Sequence, residues 1–540
     1  MPDYSLLDIH FAGFLASRSG LAGEEKRTFE TVVRDLSAAL ASGHSCLPVR
    51  KQEEEILAGT SLVSAGDLTP LVLSHGRLYL HRYFTYEVRL AVQMKELAKQ
   101  NFPVPEGKVL LDACFGPDTE EEDLQKKAAG TAMRRALCII SGGPGTGKTS
   151  TVVRIIGLLL QAFGNDLQVA LAAPTGKAAM RLSQSVGGSL EMLPFPGSVK
   201  AAVPTEARTL HRLLGARKNS PRFRHTRENP LPWDVVVVDE ASMVDLAMMS
   251  KLVDALKPGS RLLLLGDKDQ LASVESGAVL IDLVRALPEN TVELQKTYRF
   301  NTSIKQLSQA VNRGDNEAAW QLLADPALEH VGLLTKPLPD FVGNRYALYM
   351  AQAVRGRGAG YEQVFATFNG FRVLCAVRHG HRGVEGINAT VEQHLAGKGY
   401  DCLSKIWYPG RPILITRNDY SLDLSNGDIG ICLPDPADGV LKVWFERPDR
   451  TFKTCLPYRL PPCETAYALT IHKCQGSEFD EVLVVLPEQE NRILSRELIY
   501  TAVTRAKKRV LMATEKEILL QALAGKIERF SGLKDRVSLP

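Results

Sequence analysis

The first segment whose residue types suit chemistry is a glycine-rich stretch, GGPGTGKT, at residues 142–149. It fits G-x-x-x-x-G-K-[ST], a pattern whose glycines let backbone N–H groups close around phosphate oxygens. A strand-like run precedes it and a helix-like run follows it, which is the context that the pattern requires. We expect Lys148 to reach the β- and γ-phosphates of ATP and Thr149 to hold Mg²⁺. The predicted phosphate-binding residues are Gly142, Gly143, Pro144, Gly145, Thr146, Gly147, Lys148, Thr149 and Ser150.

Two further strand-like runs end in polar side chains that suit the same reaction. The first run ends in Asp239 and Glu240, and a buried strand that delivers an acid to its carboxyl end completes the Mg²⁺ site of such enzymes. We assign Asp239 to Mg²⁺ and Glu240 to the attacking water. The second run places Asp267 and Gln270 where they could sense the γ-phosphate. Together these features predict a P-loop NTPase, and a GTPase is disfavoured because no N-K-x-D motif follows the acidic strand.

Short apolar runs alternate with amphipathic helical segments on both sides of these motifs, which predicts parallel sheets with crossover helices. We predict an α/β protein with a helical domain at residues 1–105 and α/β domains at 106–335 and 336–540. Residues 408–462 differ, because short β-like runs there are separated by Asn-Gly, Asp-Gly and Pro-rich turns. This texture indicates a small all-β insert in the second α/β domain.

Composition disfavours several kinds of protein but does not indicate a particular activity. The 540 residues carry a formal net charge of only +4, so a nucleic-acid site would have to be a local groove. None of the nine cysteines has C-x-x-C spacing, so neither a zinc site nor an iron–sulfur cluster is indicated. No apolar run is long enough to span a bilayer, and the N-terminus does not resemble a signal peptide. We expect a cytoplasmic protein.

Several longer motifs occur in the order typical of superfamily 1 helicases: DEASM, GDKDQL, LTIHKCQGSEFD and YTAVTRAKKRV. In finer detail, APTGKAAMRL, TLHRLLG and LLLLGDKDQLASVESGAVL resemble the RecD family, the helicase subunits of exodeoxyribonuclease V. The resemblance is strong over residues 120–320 and 365–515 and weak over the N-terminal region. It implies two RecA-like P-loop NTPase domains, an SH3-like β insert in the second and an N-terminal docking domain.

The resemblance also implies roles for residues that the bare motifs leave unassigned. Gln125 is similar to a glutamine that reads adenine, and Arg299 and Arg505 are similar to two arginines that reach the γ-phosphate from opposite domains. A guanidinium suits that role because its planar fork matches phosphoryl oxygens. The segment that closes over the nucleotide from the second domain is implied to be Gly476, Ser477 and Glu478.

Nucleic-acid contacts are expected where threonines, basic side chains and backbone N–H groups follow strands, because such groups hold phosphates without reading sequence. The candidates are Pro174, Thr175, Lys177, Thr209, His211, Arg212, Thr470, His472 and Lys473. Nearby, a small basic hairpin insert is predicted near residues 207–230. Two interpretations of it stay open: a pin that splits the strands of a duplex, and a solvated basic loop.

The resemblance therefore implies an ATP-dependent 5′→3′ DNA helicase that works on single-stranded DNA and DNA ends beside RecB-like and RecC-like subunits. No nuclease constellation of paired acids with a catalytic lysine is found in the sequence. Three alternatives remain: a stand-alone RecD-like helicase, a nucleotide-controlled structural subunit that binds DNA ends, and an RNA helicase of the same superfamily. No residue pattern in the chain gives the polarity or distinguishes DNA from RNA.

Overall fold

The structure is a computed structural model that describes residues 4–66, 68–104, 106–190, 193–217, 220–273, 275–296, 302–355, 360–419, 421–447, 449 and 451–538. Within those residues, no helix combines the length and the apolar character that crossing a bilayer requires.

The N-terminal region contains the predicted helices and also a small sheet that the sequence pattern did not predict. Its helices are α1 (Leu6–Ala16), α2 (Gly23–Ala41), α3 (Lys51–Ala58) and α4 (His81–Lys99). Its strands are β1 (Leu47–Pro48), β2 (Val63–Ser64), β3 (Leu71–Ser74) and β4 (Arg77–Leu80), hydrogen-bonded in the order β1-β4-β3-β2. Strands of two to four residues are too short to show an alternating pattern, which is why the sheet was missed.

The first α/β unit is built on a sheet that is parallel throughout. Its strands are β5 (Leu137–Gly142), β6 (Val169–Ala173), β7 (Ala207–Thr209), β8 (Val235–Val238), β9 (Arg261–Gly266) and β10 (Thr291–Leu294), in the order β10-β5-β9-β8-β6-β7. Its helices are α5 (Gly107–Phe115), α6 (Leu124–Arg134), α7 (Lys148–Phe163), α8 (Gly176–Leu190), α9 (Gly197–Ala202), α10 (Leu210–Leu214), α11 (Leu246–Asp254) and α12 (Val279–Ala286). Helices cover both faces, so the central strands β8 and β9 are buried along their whole length.

The remainder of the chain forms a second parallel sheet and an antiparallel insert. Its helices are α13 (Thr302–Arg313), α14 (Asn316–Ala324), α15 (Leu338–Arg355), α16 (Tyr361–Gly370), α17 (Val384–Gly397), α18 (Arg496–Val503), α19 (Lys516–Ala524) and α20 (Leu533–Ser538). Its strands are β11 (Val331–Leu333), β12 (Phe371–Cys375), β13 (Pro412–Ile415), β14 (Ile429–Pro434), β15 (Leu441–Glu446), β16 (Phe452–Cys455), β17 (Cys463–Thr465), β18 (Ala468–Thr470), β19 (Phe479–Val485) and β20 (Ala506–Ala513).

These strands divide as the turn signals suggested. The parallel sheet has the order β11-β20-β19-β12-β18. Between α17 and β18 lies an antiparallel sheet with the order β16-β15-β14-β13-β17. The predicted two parallel α/β units and the β insert are therefore confirmed, while the SH3-like character of the insert and the domain boundaries at 105 and 335 stay predictions.

The end of the chain returns to the first half of the molecule. Helix α20 packs against α4 and α12 instead of against the second α/β unit. Arg536 donates from Nε to the carboxylate of Glu87 at 3.2 Å, and the Glu87 side chain is fully buried. Ser45 joins the same network from the N-terminal region, donating from Oγ to Glu87 at 3.0 Å and from its backbone N–H to the carbonyl of Phe530 at 3.0 Å. The C-terminal segment thus ties the N-terminal region to the first α/β unit.

Candidate functional site

The two parallel sheets face each other across a cavity of about 270 Å³. Strands β5, β8 and β9 all end at the edge of the first sheet that borders it, so the residues that follow each strand converge there. The predicted residues that line the cavity are Pro144, Gly145, Gly147, Lys148, Thr149, Ser150, Asp239, Glu240, Gln270, Gly476, Glu478 and Arg505. Residues that lie more than 200 positions apart in the chain are therefore brought to one site.

The glycine-rich loop between β5 and α7 needs its glycines for steric reasons. Gly147, the N-cap of α7, has φ +85°, and a Cβ there would lie 2.5 Å from Nε2 of Gln125. A Cβ at Gly142 would lie 2.8 Å from Oγ1 of Thr146. Lys148 donates from Nζ to the carbonyls of Gly142 (2.5 Å) and Gly143 (3.1 Å), which holds its ammonium inside the curve of the loop. An anion in this curve would meet the ammonium and the N-terminus of α7 together.

Gln125 lies beside this loop, at the start of α6. Its Nε2 donates to the carbonyl of Thr146 at 3.4 Å. This contact places the amide against the glycine-rich loop, although Gln125 does not line the cavity. Its role in reading adenine stays a prediction, because the structure places the side chain without showing what it recognises.

Asp239 and Glu240 stand at the end of β8. Glu240 has φ +53°, a left-handed conformation that residues other than glycine rarely adopt, and its backbone N–H donates to Oδ1 of Asp239 at 2.8 Å. Burial and the neighbouring charge of Glu240 raise the pKa of the Asp239 carboxyl above its usual range, and Lys148 acts in the opposite direction. Two carboxylates this close favour a bound cation, because a cation relieves their mutual repulsion.

The turn after β9 connects the two α/β units. The buried carboxylate of Asp267 accepts hydrogen bonds from Nε2 of Gln270 (3.0 Å) and from the hydroxyl of Tyr500 (3.1 Å). The backbone of Leu271 extends the connection, donating to Oγ1 of Thr501 at 2.9 Å and accepting from Nε2 of Gln475 at 2.7 Å. Gln270 is therefore linked through Asp267 to Tyr500 on the helix α18. Sequence analysis placed Gln270 and Asp267 here but did not assign Tyr500.

Arg505 follows α18 and reaches the cavity from the second α/β unit. It is only 1% exposed, and it donates from Nε to the carbonyl of Thr501 (3.2 Å) and from NH1 to the carbonyl of Ser477 (3.3 Å). Its NH2 group is buried and has no acceptor among the described residues. An unpaired N–H of a buried cation costs roughly 1–3 kcal/mol or more, and a phosphoryl oxygen in the cavity would satisfy it.

A cation that sequence analysis did not assign, Arg181 on α8, also lines the cavity. Its guanidinium forms an ion pair with Glu478, whose side chain is only 7% exposed, and this pair spans the two α/β units. Lys507 lies 3.9 Å from the same carboxylate. Arg181 is the arginine of the motif APTGKAAMRL, but no local pattern in the sequence indicated that it pairs with Glu478.

The remaining predictions at this site concern Arg299 and Ser477. Arg299 lies outside the described residues, so its role stays a prediction. The hydroxyl of Ser477 is buried, has no hydrogen-bond partner among the described residues, and does not line the cavity. Its backbone carbonyl instead holds Arg505, which makes it a positioning residue in this structure.

The predicted nucleic-acid residues divide into two groups. Lys177, Thr209 and Arg212 line a second cavity of about 410 Å³ between the first α/β unit and the β insert. Pro174, Thr175, His211, Thr470, His472 and Lys473 do not line it. The three threonines already accept local backbone hydrogen bonds: Thr175 from Ala178 (3.2 Å), Thr209 from Arg212 (3.3 Å) and Thr470 from Lys473 (3.3 Å). Contact with a strand stays a prediction for all nine.

Lys177 has an unusual environment within this second cavity. Its ammonium lies 5.6 Å from the ring centroid of Phe479, and burial and the nearby charge of Arg372 lower its pKa to about 7. A phosphate beside Lys177 would favour the charged form and so would raise its pKa again. The side chain is thus suited to respond to an anion.

A loop of the β insert contacts the same surface. Asp423 has φ +44° and pairs with two arginines, at 2.5 Å from NH2 of Arg212 and 3.3 Å from NH2 of Arg447. Ser425 packs closely against Gly176, because a Cβ added to Gly176 would lie 2.9 Å from the Cβ of Ser425. The carboxylate of Asp423 therefore already pairs with Arg212, and a backbone phosphate that approached Arg212 would compete with it.

We expect Asp423→Asn to raise the affinity for single-stranded oligonucleotides by roughly five-fold, because a strand would no longer compete with a carboxylate for Arg212. Asparagine tolerates the left-handed backbone, so the loop should keep its shape. The matched control is Asp438→Asn, which neutralises another exposed acid of the insert, paired with Lys442. Fluorescence anisotropy at fixed salt measures both variants. Equal or weaker binding by Asp423→Asn would contradict the prediction.

Comparison with known proteins agrees with this arrangement. The family described as "AAA domain" matches residues 125–276, and the family described as "UvrD-like helicase C-terminal domain" matches residues 465–513. The chain is 39% identical to "RecBCD enzyme subunit RecD" of Mycolicibacterium smegmatis, over 98% of this chain and 97% of that protein. It is 32% identical to "ATP-dependent RecD2 DNA helicase" of Deinococcus radiodurans, over 94% of this chain and 69% of that protein.

A solved structure of a Pif1 helicase from Bacteroides in complex with ADP-AlF3 and ssDNA is 16% identical, with a TM-score of 0.41, and the match covers 76% of this chain and 95% of that one. This likeness is too weak to carry an argument about either site.

Proposed function

The chain belongs to the family of RecD subunits of RecBCD enzymes, and we propose that it works as the motor subunit of such an enzyme, unwinding double-strand-break ends for recombinational repair. It is an ATP-hydrolysing DNA helicase. The observation that best supports a motor is Arg505, because a buried cation of one α/β unit, whose NH2 group has no acceptor among the described residues, lines a cavity that also holds Lys148 of the other unit. A ligand that bridges both units would contact both cations.

ATP hydrolysis follows from the positions of these side chains. Lys148 and the loop amides hold the phosphates, Glu240 orients the attacking water and Arg505 stabilises the charge that develops on the γ-phosphoryl group. Mg²⁺ fits this site, with the Thr149 hydroxyl and the Asp239 carboxylate as its oxygen ligands. When bound, it would neutralise charge on the phosphates. Among the described residues, no group of three or more His, Cys, Asp or Glu side chains could hold a metal ion by itself.

Motion would arise because the nucleotide state controls the contacts between the two units. ATP would draw Arg505 and the Arg181–Glu478 pair toward the phosphates, and hydrolysis would release them. The hydrogen bonds that Asp267 accepts from Tyr500 and Gln270 would carry this change to the second unit. Because each unit carries predicted phosphate contacts, closure and opening would move the chain along a single strand. We propose 5′→3′ translocation in the cytoplasm, from membership of the family.

A stand-alone helicase is the second candidate, because the chain also resembles the RecD2 helicase over 94% of its length. The two candidates differ in partners. As the subunit of a heterotrimer, the chain should co-purify with RecB-like and RecC-like proteins in a fixed ratio, whereas a stand-alone helicase should be active without them.

The proposed function is tested with duplexes that carry a 5′ or a 3′ single-stranded tail, with the chain alone and with its co-purified partners. We expect ATP-dependent unwinding of the 5′-tailed duplex and little of the 3′-tailed one. Unwinding of the 3′-tailed duplex alone, in a preparation whose other subunits carry inactivated ATP sites, would show that the polarity is wrong. Full activity without partners would favour the stand-alone helicase.

A further inference from the structure

A third cavity, of about 700 Å³, lies outside both sites described above. Three elements enclose it: the start of α4 in the N-terminal region, the loop that follows α10, and α11 of the first α/β unit. We call it the α4 groove and define it by Arg82, Tyr86, Arg222, Phe223, Arg224 and Lys251. None of these residues belongs to the nucleotide cavity or to the cavity beside the β insert.

The charge on the α4 groove is strongly one-sided. Arg82, Arg222 and Arg224 are exposed, and none forms an ion pair with a carboxylate of the described residues. Arg217 adds a further exposed arginine at the rim. The acid that lines the groove, Asp254, accepts a hydrogen bond from Nε2 of Gln93 at 3.0 Å. Unneutralised cations held together repel one another, so an anionic ligand would stabilise this surface.

The walls of the groove are packed and hydrogen-bonded, so the backbone that carries the loop arginines is held in place. Lys251 lies between two aromatic rings, 5.3 Å from the centroid of Phe223 and 5.8 Å from that of Tyr86. The loop is anchored to α10 by its backbone, since the N–H of Arg224 donates to the carbonyl of Gly215 at 2.9 Å. Isolated β-bridges join Ala216 to Phe223 and Thr226 to Asn229 within the loop, and the predicted hairpin stays a prediction.

The groove lies next to α10, which carries predicted nucleic-acid contacts. Phe223 makes an edge contact with His211, at 5.8 Å between ring centroids. His211 lies on α10 beside Arg212, which lines the cavity next to the β insert. A strand that leaves that cavity along α10 would meet the arginines of the α4 groove next. Arginine suits such a ligand, because its planar fork matches phosphate oxygens.

We propose that the α4 groove binds the phosphodiester backbone of DNA outside the motor cleft, with Arg82 of the N-terminal region and Arg222 of the loop as its main phosphate contacts. This inference rests on the proposed function, because it assumes that DNA reaches α10. The groove would bind DNA without reading its sequence. The N-terminal region would then contribute directly to DNA binding.

The test compares two double variants, each with one substitution on α4 and one in the loop. Arg82→Ala/Arg222→Ala removes two cations from the groove. The control, Lys99→Ala/Arg227→Ala, removes two exposed cations from the same elements, neither of which lines the groove. The substrates are a short oligonucleotide that fills only the motor cleft, a longer single strand and a fork with a duplex arm.

We expect the groove variant to bind the fork or the longer strand about 10-fold more weakly at low salt, and the slope of log affinity against log salt to fall by about 1.5–2 for two lost phosphate contacts. The substrate that loses more affinity shows whether the groove takes duplex or single strand. ATP hydrolysis stimulated by the short oligonucleotide should be unchanged. This measurement separates a chain without motor activity from a chain whose groove does not bind DNA.

Two outcomes would overturn the inference. The first is an unchanged salt slope on both long substrates, or a loss equal to that of the control variant. The second is unchanged DNA binding combined with loss of a co-purifying partner, which would make the groove a protein interface instead.

Discussion

Lys148→Ala is expected to lower kcat for DNA-stimulated ATP hydrolysis by at least about 100-fold. The Lys148 ammonium lies within the curve of the glycine-rich loop and lines the nucleotide cavity, so we expect it to contact the phosphates. Alanine leaves the loop amides and α7 in place but removes the charge that balances the β- and γ-phosphates. Steady-state hydrolysis with and without single-stranded DNA measures the effect.

The matched control is Lys336→Ala, which removes an exposed lysine that lines neither the nucleotide cavity nor the cavity beside the β insert. Lys148→Ala should still bind an oligonucleotide within a factor of about two of the unchanged chain, because none of its contacts face the cavity next to the β insert. Hydrolysis above a tenth of the normal rate would show that the phosphates bind elsewhere. Equal loss of DNA binding would show that the substitution damages the fold.

Arg505→Met is expected to lower kcat by about 100- to 1,000-fold while leaving the unfolding midpoint within about 3 °C of that of the unchanged chain. The kinetic loss follows because no other described residue of the second unit offers a guanidinium to the γ-phosphate. The small change in stability follows because methionine removes a buried cation whose NH2 group has no acceptor among the described residues. A purely structural arginine would give the opposite combination.

Arg505→Lys separates charge from geometry. Lysine keeps the positive charge but cannot contact the carbonyls of Thr501 and Ser477 and a phosphoryl oxygen at the same time. We therefore expect Arg505→Lys to recover less than about a tenth of the lost rate. Hydrolysis is measured at saturating ATP, and unfolding by calorimetry without nucleotide. If Arg505→Met melts far below the unchanged chain and loses DNA binding, the arginine supports the fold and not the reaction.

Much of the nucleotide site could be predicted from local patterns. The stretch GGPGTGKT requires positive φ at Gly145 and Gly147 and close backbone approach, and those demands lie within eight consecutive residues. Buried strands such as Val235–Val238 read as unbroken apolar runs because helices cover both faces of a parallel sheet. The polar residues after such strands had to converge, because parallel strands end at one edge.

Local patterns could not predict four features: the N-terminal sheet, the partner of Arg181, the hydrogen bond from Tyr500 to Asp267 and the ion pair of Asp423 with Arg212. Each depends on side chains that are distant along the chain, and such a contact imposes no spacing on the residues around it. The packing of α20 against α4 could not be predicted for the same reason. Residue patterns alone determined the two parallel sheets, the β insert and the phosphate loop, because those features depend on neighbours in sequence. Tertiary packing alone decided which cations share the nucleotide cavity and which acid faces Arg212, because only the folded chain brings those charges within ångströms of each other.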